Sequence, residues 1–263
     1  MRRIVLKLGG HALDDLSATS EVLVALAHDV AQLRDDGVEV VVVHGGGPQI
    51  AELLTRVGLV SEFRDGLRIT SPEVMTYVAM ALSQVNVALV AALHHAGLAC
   101  VGLTGVDGGL TFGRSLGEPW DRAAAVASMN VDVLVAQWRA GFVPVVSPLA
   151  YGAGGELFNC NADIVAGALA ATLDAETLVL LSDIDQLRAD PDDASSVLAR
   201  VDRATVRAMI ENGTARDGMR PKMTAALDAL EAGAARVVLA NGTRPHAVRD
   251  VVRGQIPTTE VVA

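Results

Sequence analysis

Short runs of β-branched and leucine residues alternate along this chain with longer stretches whose apolar positions recur every three or four residues. The short runs read as buried strands: Ile4–Leu8, Val38–Val43, Cys100–Leu103, Phe142–Ser147, Thr177–Leu181 and Arg236–Ala240, with a last short one at Val261-Val262. The periodic stretches read as helices. Thr19 or Ser20 is placed to cap a helix over Glu21–Arg34, with Val22, Leu23, Leu26, Val30 and Leu33 on one face, and Asp36-Gly37 stops it. Pro48–Val57 restarts a helix directly after three glycines. Ser71-Pro72-Glu73 opens another that runs through Leu82 and, from Asn86, on to His95. Val131–Ala140, Ala162–Leu173 (capped by Asn161), Ala204–Asn212 and Lys222–Ala232 complete the set. Phe63–Thr70 reads as a hairpin or extended segment, 107–127 as loops or a β-hairpin, Leu149–Gly155 as a glycine-rich turn, and acid-rich Asp185–Ser196 as an exposed loop or hairpin. Strand and helix alternate, which implies an α/β protein with a largely parallel sheet and helices on both faces.

The chain's 263 residues, half of them apolar, suffice for one large domain. Aromatics make up only 3%, so the core must be valine, alanine and leucine. A net charge of −10 argues against nucleic acid, whose phosphates require a basic face. Neither a signal peptide nor an uninterrupted apolar stretch of membrane-spanning length is evident, so the expectation is a cytoplasmic protein that engages no membrane. Cys100 and Cys160 have no metal-ligand spacing and suggest no disulfide framework.

Chemistry is expected where strands end, because ligands of open α/β sheets sit beyond the carboxyl ends. Two strands end in glycines: Gly9-Gly10 after the first, and Gly45, Gly46 and Gly47 after His44. Such turns expose backbone N–H groups and let an anion approach. The helix from Pro48 adds its N-terminus to that cradle. Lys7 lies within the first apolar strand, a costly position unless an anion pairs with it. The P-loop, the dinucleotide fingerprint, the protein-kinase motifs and the GxSxG elbow are all missing. His44 reads as structural rather than catalytic.

Taken together, KLGG at Lys7–Gly10, VVHGGGPQI at Val42–Ile50, DGLRIT at Asp65–Thr70, GLTGVDGG at Gly102–Gly109, GFVPVVSPL at Gly141–Leu149, FNCNAD at Phe158–Asp163, LLSD at Leu180–Asp183, DGMRPK at Asp217–Lys222 and NGTRPHAV at Asn241–Val248 resemble the amino acid kinase superfamily, and within it the N-acetyl-L-glutamate kinase family. The resemblance spans nearly the whole chain. It implies a three-layer αβα sandwich, with a substrate and dimerisation lobe over 1–173 and a nucleotide lobe over 174–263. It also implies transfer of the γ-phosphoryl of Mg-ATP to a side-chain carboxylate, with Mg²⁺ carried by the nucleotide and no metal held by the protein alone. Carried over residue by residue, Lys7 and Lys222 stabilise the moving phosphoryl, Asp163 holds both lysines, and Gly10 and Gly46 offer backbone N–H groups. Gly46 and Gly47 cradle the substrate, Arg68 takes its α-carboxylate, Asn159 holds its acylated amino end, and Asn161 is a further substrate-binding residue. Lys7, Gly9, Ser182, Asp183, Leu187, Thr214, Ala215, Arg216 and Lys222 form the nucleotide side. Phosphoryl transfer needs positioning and charge neutralisation more than covalent help, and a carboxylate nucleophile needs no general base.

The sequence departs from the family at several places. Gln186 stands where a glycine is usual in the loop after Asp183. Val87 and Val106 replace lysines, and the C-terminal pattern reads Thr258-Thr259-Glu260-Val261. These changes leave two alternatives beside the first reading: a kinase for a related acyl amino acid or one linked to an acidic carrier protein, and a non-catalytic sensor on the same fold. Since Met1 lies three residues before the first strand, there is no room for the N-terminal helix of arginine-sensitive, hexameric relatives. The expectation is an arginine-insensitive homodimer, with Val74, Val78, Ala81 and Val85 as a helical stripe that fits either the interface or the core.

Overall fold

The computed structural model describes residues 2–190, 192–215, 219–231, 233–234 and 236–262. In chain order its elements are β1 (Arg2–Leu8), a 3-10 turn (Gly10–Leu13), α1 (Glu21–Asp35), β2 (Val38–His44), α2 (Gly47–Arg56), β3 (Phe63–Arg64), β4 (Leu67–Arg68), α3 (Pro72–His95) and β5 (Cys100–Thr104). There follow β6 (Thr111–Gly117), β7 (Asp121–Met129), α4 (Asp132–Arg139), β8 (Val143–Ser147), β9 (Leu149–Tyr151), β10 (Leu157–Asn159), α5 (Ala162–Thr172) and β11 (Thr177–Ser182). The last are β12 (Leu187–Arg188), β13 (Val197–Leu198), β14 (Arg200–Asp202), α6 (Arg203–Glu211), α7 (Met219–Glu231), β15 (Val237–Asn241), α8 (Ala247–Val252) and β16 (Thr259–Val262).

Among the described residues one eight-stranded sheet runs β14-β16-β15-β11-β1-β2-β8-β5. Its pairings are parallel except that of β15 with β16. Alternation along β1 assigns the two faces. Ile4, Leu6 and Leu8 join Val40 and Val42 in a core with Leu26 and Val30 of α1, Leu89 and Leu93 of α3, and Val248 of α8. Val5, Val41 and Val43 point the other way, into a core with Val165 and Leu169 of α5 and Met223 and Leu230 of α7. The architecture is therefore a three-layer αβα sandwich. The same alternation puts Lys7, two residues after Val5, on the α5/α7 face. Strands from β11 onward build one half of the sheet, and the earlier ones build the other.

Several expectations change. By length and composition α3 could cross a bilayer, although Ser83, Gln84 and Asn86 interrupt its apolar run. Here it packs on β5, β8 and α2, with Val78, Leu82, Val85 and Leu89 buried. Val78, Ala81 and Val85 therefore belong to the core and cannot be an interface stripe; the outward face instead carries exposed Met80 and Val87. Leu149–Tyr151 is a strand rather than the start of a turn, because it pairs with β10 and β6. With β7 these close a small barrel over the sheet's carboxyl edge. α7 begins at Met219, a turn before Lys222, with Pro221 tolerated in the first turn, where its missing N–H costs nothing. Ser20 stands at the start of α1 but makes no side-chain cap bond, whereas Asn161 Oδ1 accepts from the N–H groups of Asp163 and Ile164 at 2.8 and 3.3 Å.

Gly105, between β5 and the barrel, has no room for a side chain: a Cβ there would lie 1.8 Å from the Leu149 carbonyl oxygen. Backbone cannot yield as a side-chain tip can. Gly105→Ala is expected to lower the free energy of unfolding by about 2–3 kcal/mol or more, measured by urea denaturation.

Candidate active site

β1 and β2 pair in parallel with Leu8 opposite His44, so the two glycine turns leave the sheet side by side. The Gly45 N–H donates to the Leu8 carbonyl at 2.9 Å and ties them together. Gly10 opens the 3-10 turn and Gly46 sits at the N-cap of α2. A cavity of about 230 Å³ opens between these turns, lined by Lys7, Gly9, Gly46, Gly47, Arg68, Asn159, Asn161 and Asp163 among others.

Among the residues lining this cavity are Lys7 and Asp163, and Lys222 approaches the same carboxylate. Asp163, in the first turn of α5, reaches Lys7 Nζ at 2.9 Å through Oδ1 and Lys222 Nζ at 3.6 Å through Oδ2. At 2.9 Å the Lys7 contact combines the attraction of opposite charges with a hydrogen bond from the ammonium to Oδ1. Close packing of α5 on α7 makes the arrangement possible: a Cβ on Gly167 would stand 2.9 Å from the Ala225 carbonyl. Burial alone would raise the Asp163 pKa, but the charges of Lys7 and Lys222 outweigh it and hold the carboxyl below its ordinary range. Burial pulls the Lys7 ammonium below its usual value, against the attraction of Asp163 and with Lys222 adding to the push. Lys7 curls over Gly9, where a Cβ would come within 2.1 Å of Nζ.

Arg68, which also lines the cavity, is buried. Its Nη2 donates to the Gly47 carbonyl at 3.2 Å, its Nη1 donates to Ser61 Oγ, and the guanidinium lies 4.6 Å from the Phe63 ring centroid. Among the described residues no carboxylate lies within ion-pair distance of it. Burial lowers its pKa to about 10, so it stays charged at neutral pH. Asn159 donates to Thr70 Oγ1 at 3.2 Å. Asn161 lines the cavity while its Oδ1 is engaged by the α5 cap. Ser61 and Thr70, which hold Arg68 and Asn159, went unread in the sequence: Ser61 meets Arg68 across the turn of a short hairpin, and Thr70 meets an asparagine 89 residues away.

A second cavity, of about 720 Å³, lies against the β11 end of the sheet. Asp183, Leu187, Thr214 and Ala215 line it together with Ile184, Val197, Met209 and Met219. Ser182 is buried at the end of β11, and Arg216 falls outside the described residues. Gln186, the unusual residue of this loop, lines the cavity and donates through Nε2 to the Thr258 carbonyl at 2.9 Å, tying the loop to the approach of β16. Among the described residues no three His, Cys, Asp or Glu side chains converge as a metal site would require.

The family described as "Amino acid kinase family" matches residues 2–241. The acetylglutamate kinase of Symbiobacterium thermophilum is 40% identical over 257 residues, covering 94% of this chain and 86% of that protein. That of Synechococcus sp. is 41% identical over 249 residues, with 94% and 86% covered. Among solved structures, smu.665 of Streptococcus mutans superposes with a TM-score of 0.84 at 26% identity, covering 99% of this chain and 98% of that one. A carbamate kinase of Giardia lamblia bound to AMP-PNP superposes with a TM-score of 0.68 at 16% identity, 99% and 98% covered, a likeness of fold.

His44, fully buried behind the glycine turn, has its pKa lowered by desolvation from 6.5 to about 4. Below pH 6.5 the unfolded chain takes up a proton that the native ring refuses. Stability contributed by neutral His44 is therefore full above pH 6.5 and falls by up to about 3 kcal/mol by pH 4. Urea denaturation from pH 7 to pH 5 is expected to show about 2 kcal/mol of this loss. His44→Asn is expected to flatten it.

Proposed function

The chain belongs to the amino acid kinase family, and from that premise we propose that it transfers the γ-phosphoryl of ATP to the side-chain carboxylate of N-acetyl-L-glutamate. The observation that carries this reading is the pairing, in one cavity, of a buried Arg68, without a carboxylate partner among the described residues, with Lys7 on Asp163, the carboxylate that also meets Lys222. A desolvated guanidinium without a carboxylate calls for an anionic ligand, and its planar fork suits a carboxylate. The second cavity, apolar along Ile184, Val197 and Met209, suits a nucleobase, and Asp183 at its edge lies near enough to Lys7 to act on its charge.

In the proposed reaction Arg68 takes the α-carboxylate of the acceptor, and Asn159 and Asn161 take its acylated amino end. A side-chain carboxylate oxygen then attacks the γ-phosphorus in line. The new O–P bond forms as the bond to the β,γ-bridging oxygen breaks, and ADP leaves with that electron pair. No proton moves. Lys7, Lys222 and the N–H groups of Gly10 and Gly46 offset the charge that two anions bring together, and Mg²⁺ enters with the nucleotide phosphates. We place the acceptor in the half built before β11 and the nucleotide in the half built after it. Cytoplasmic work accords with Cys100 and Cys160 standing buried as free thiols, and homodimerisation accords with Met80 and Val87 exposed along α3.

Trapping acyl phosphate with hydroxylamine tests the reading directly: N-acetylglutamate with MgATP should give product. Turnover only with a longer homologue or a carrier-linked acceptor would move the substrate, and none with any acceptor would sink the kinase assignment. Lys222→Ala is expected to cut kcat by about a thousandfold with the melting temperature nearly unchanged. Arg68→Lys is expected to raise KM for the amino acid about tenfold or more while leaving KM for ATP close to wild type; equal effects on both would remove Arg68 from the acceptor site.

A further inference from the structure

His44 closes β2 with both ring nitrogens engaged. Nδ1 lies 2.7 Å from the Gly45 carbonyl oxygen, so Nδ1 carries the proton and donates. Nε2 lies 3.0 Å from Asn86 Nδ2, which also donates to the Val145 carbonyl at 3.0 Å. That second contact identifies the amide nitrogen of Asn86, so Nε2 is the acceptor. One neutral tautomer satisfies every contact. A proton on Nε2 would face the amide hydrogens of Asn86, and burial already disfavours it. The chain of contacts thus runs from β8 through α3 and His44 to the first cradle glycine, whose own N–H is held by Leu8.

The consequence falls on the next peptide plane. In a trans peptide the carbonyl of one residue and the N–H of the next point in opposite directions. With the Gly45 carbonyl drawn back to the His44 ring, the Gly46 N–H is turned away from it, and Gly46 lines the cavity. A side chain at Gly46 would meet Leu82 of α3, with Cβ 2.9 Å from Cδ2, so this position meets a ligand through its backbone. We propose that His44 and Asn86 are positioning residues for phosphoryl transfer, which hold the Gly45–Gly46 peptide so that the Gly46 N–H faces the reacting groups. The inference rests on the kinase reading above and adds to it residues that touch neither substrate.

Steady-state kinetics of hydroxylamine-trapped product, with melting temperatures alongside, test it in His44→Leu, His44→Asn and Asn86→Ala. Asparagine carries an amide nitrogen close to the place of Nδ1, whereas leucine removes the donor. His44→Leu is expected to lower kcat about 30- to 100-fold, as misplacement of one donor does, with both KM values within about threefold of wild type. His44→Asn should recover kcat to within about fivefold, and Asn86→Ala, which frees the ring, should lower it about tenfold. A folded His44→Leu protein with unchanged kcat overturns the inference. So does an equal loss in the leucine and asparagine variants, which would mean packing alone. If His44→Leu does not fold, unchanged kcat in Asn86→Ala overturns it. A wild-type protein that makes no acyl phosphate from any acceptor overturns the kinase reading, and this inference with it.

Discussion

One buried carboxylate joins the layers of this protein. Asp163 projects from the first turn of α5, meets Lys7 on the central strand and Lys222 on α7, and is almost wholly removed from water. The Lys7 ammonium, whose pKa burial already pulls down, is held charged chiefly by the attraction of Asp163. Removing Asp163 is expected to cost about 3–5 kcal/mol, since two cations are left uncompensated, whereas loss of Lys222 leaves the carboxylate paired with Lys7. Asp163 is thus a condition both for a charged Lys7 and for the α5/α7 face to close over β1. The dipole of α5, whose N-terminus carries the carboxylate, adds to its stabilisation.

The same logic explains how an acidic chain can bind anions. A net charge of −10 is spread over the surface, where water and salt screen it within about 8–10 Å. Lys7, Lys222 and Arg68 stand in or beside a low-dielectric cavity and are screened far less. The local field there is set by these residues and by the N–H groups of the glycine turns, not by the total charge. Arg68 carries this furthest. Among the described residues its polar and ring contacts are a carbonyl, a hydroxyl and an aromatic face, all of them neutral, so neither its charge nor all of its five N–H donors is used up.

Much of this was legible in the sequence because it is local. Parallel strands announced themselves as β-branched runs, Asn161 as a cap directly before a helix, and the glycine turns as strand ends. Lys7 stood out because a charge in an apolar strand is an anomaly, and strand alternation alone sends it to the face that Val5 shares. What escaped reading depends on partners that local spacing does not specify. Leu149–Tyr151 is a strand only because Leu157–Asn159 and Phe112 pair with it. Val78, Ala81 and Val85 have the spacing of an interface stripe and of a core face alike, and only the packing of α3 on the sheet decides between them. Ser61 and Thr70 become part of the site through Arg68 and Asn159, which no spacing rule connects to them.

The glycines separate the demands of folding from those of chemistry. At Gly105 a Cβ would strike the Leu149 carbonyl, and at Gly167 it would crowd that of Ala225; both obstacles are backbone, so the constraint belongs to the fold. At Gly9 the obstacle is the tip of Lys7, which could swing aside, but only by leaving Asp163. The fold could tolerate that change and the charge arrangement could not. At Gly47 a Cβ would find nothing within 4 Å, yet the residue lines the cavity and its carbonyl accepts from Arg68. A side chain there would meet no protein atom within 4 Å, so packing does not require glycine at this position, and under the proposed function the demand is ligand approach. One residue type recurring at strand ends thus answers to backbone packing, to the placement of a cation and to ligand approach, and the neighbours of each position tell these apart.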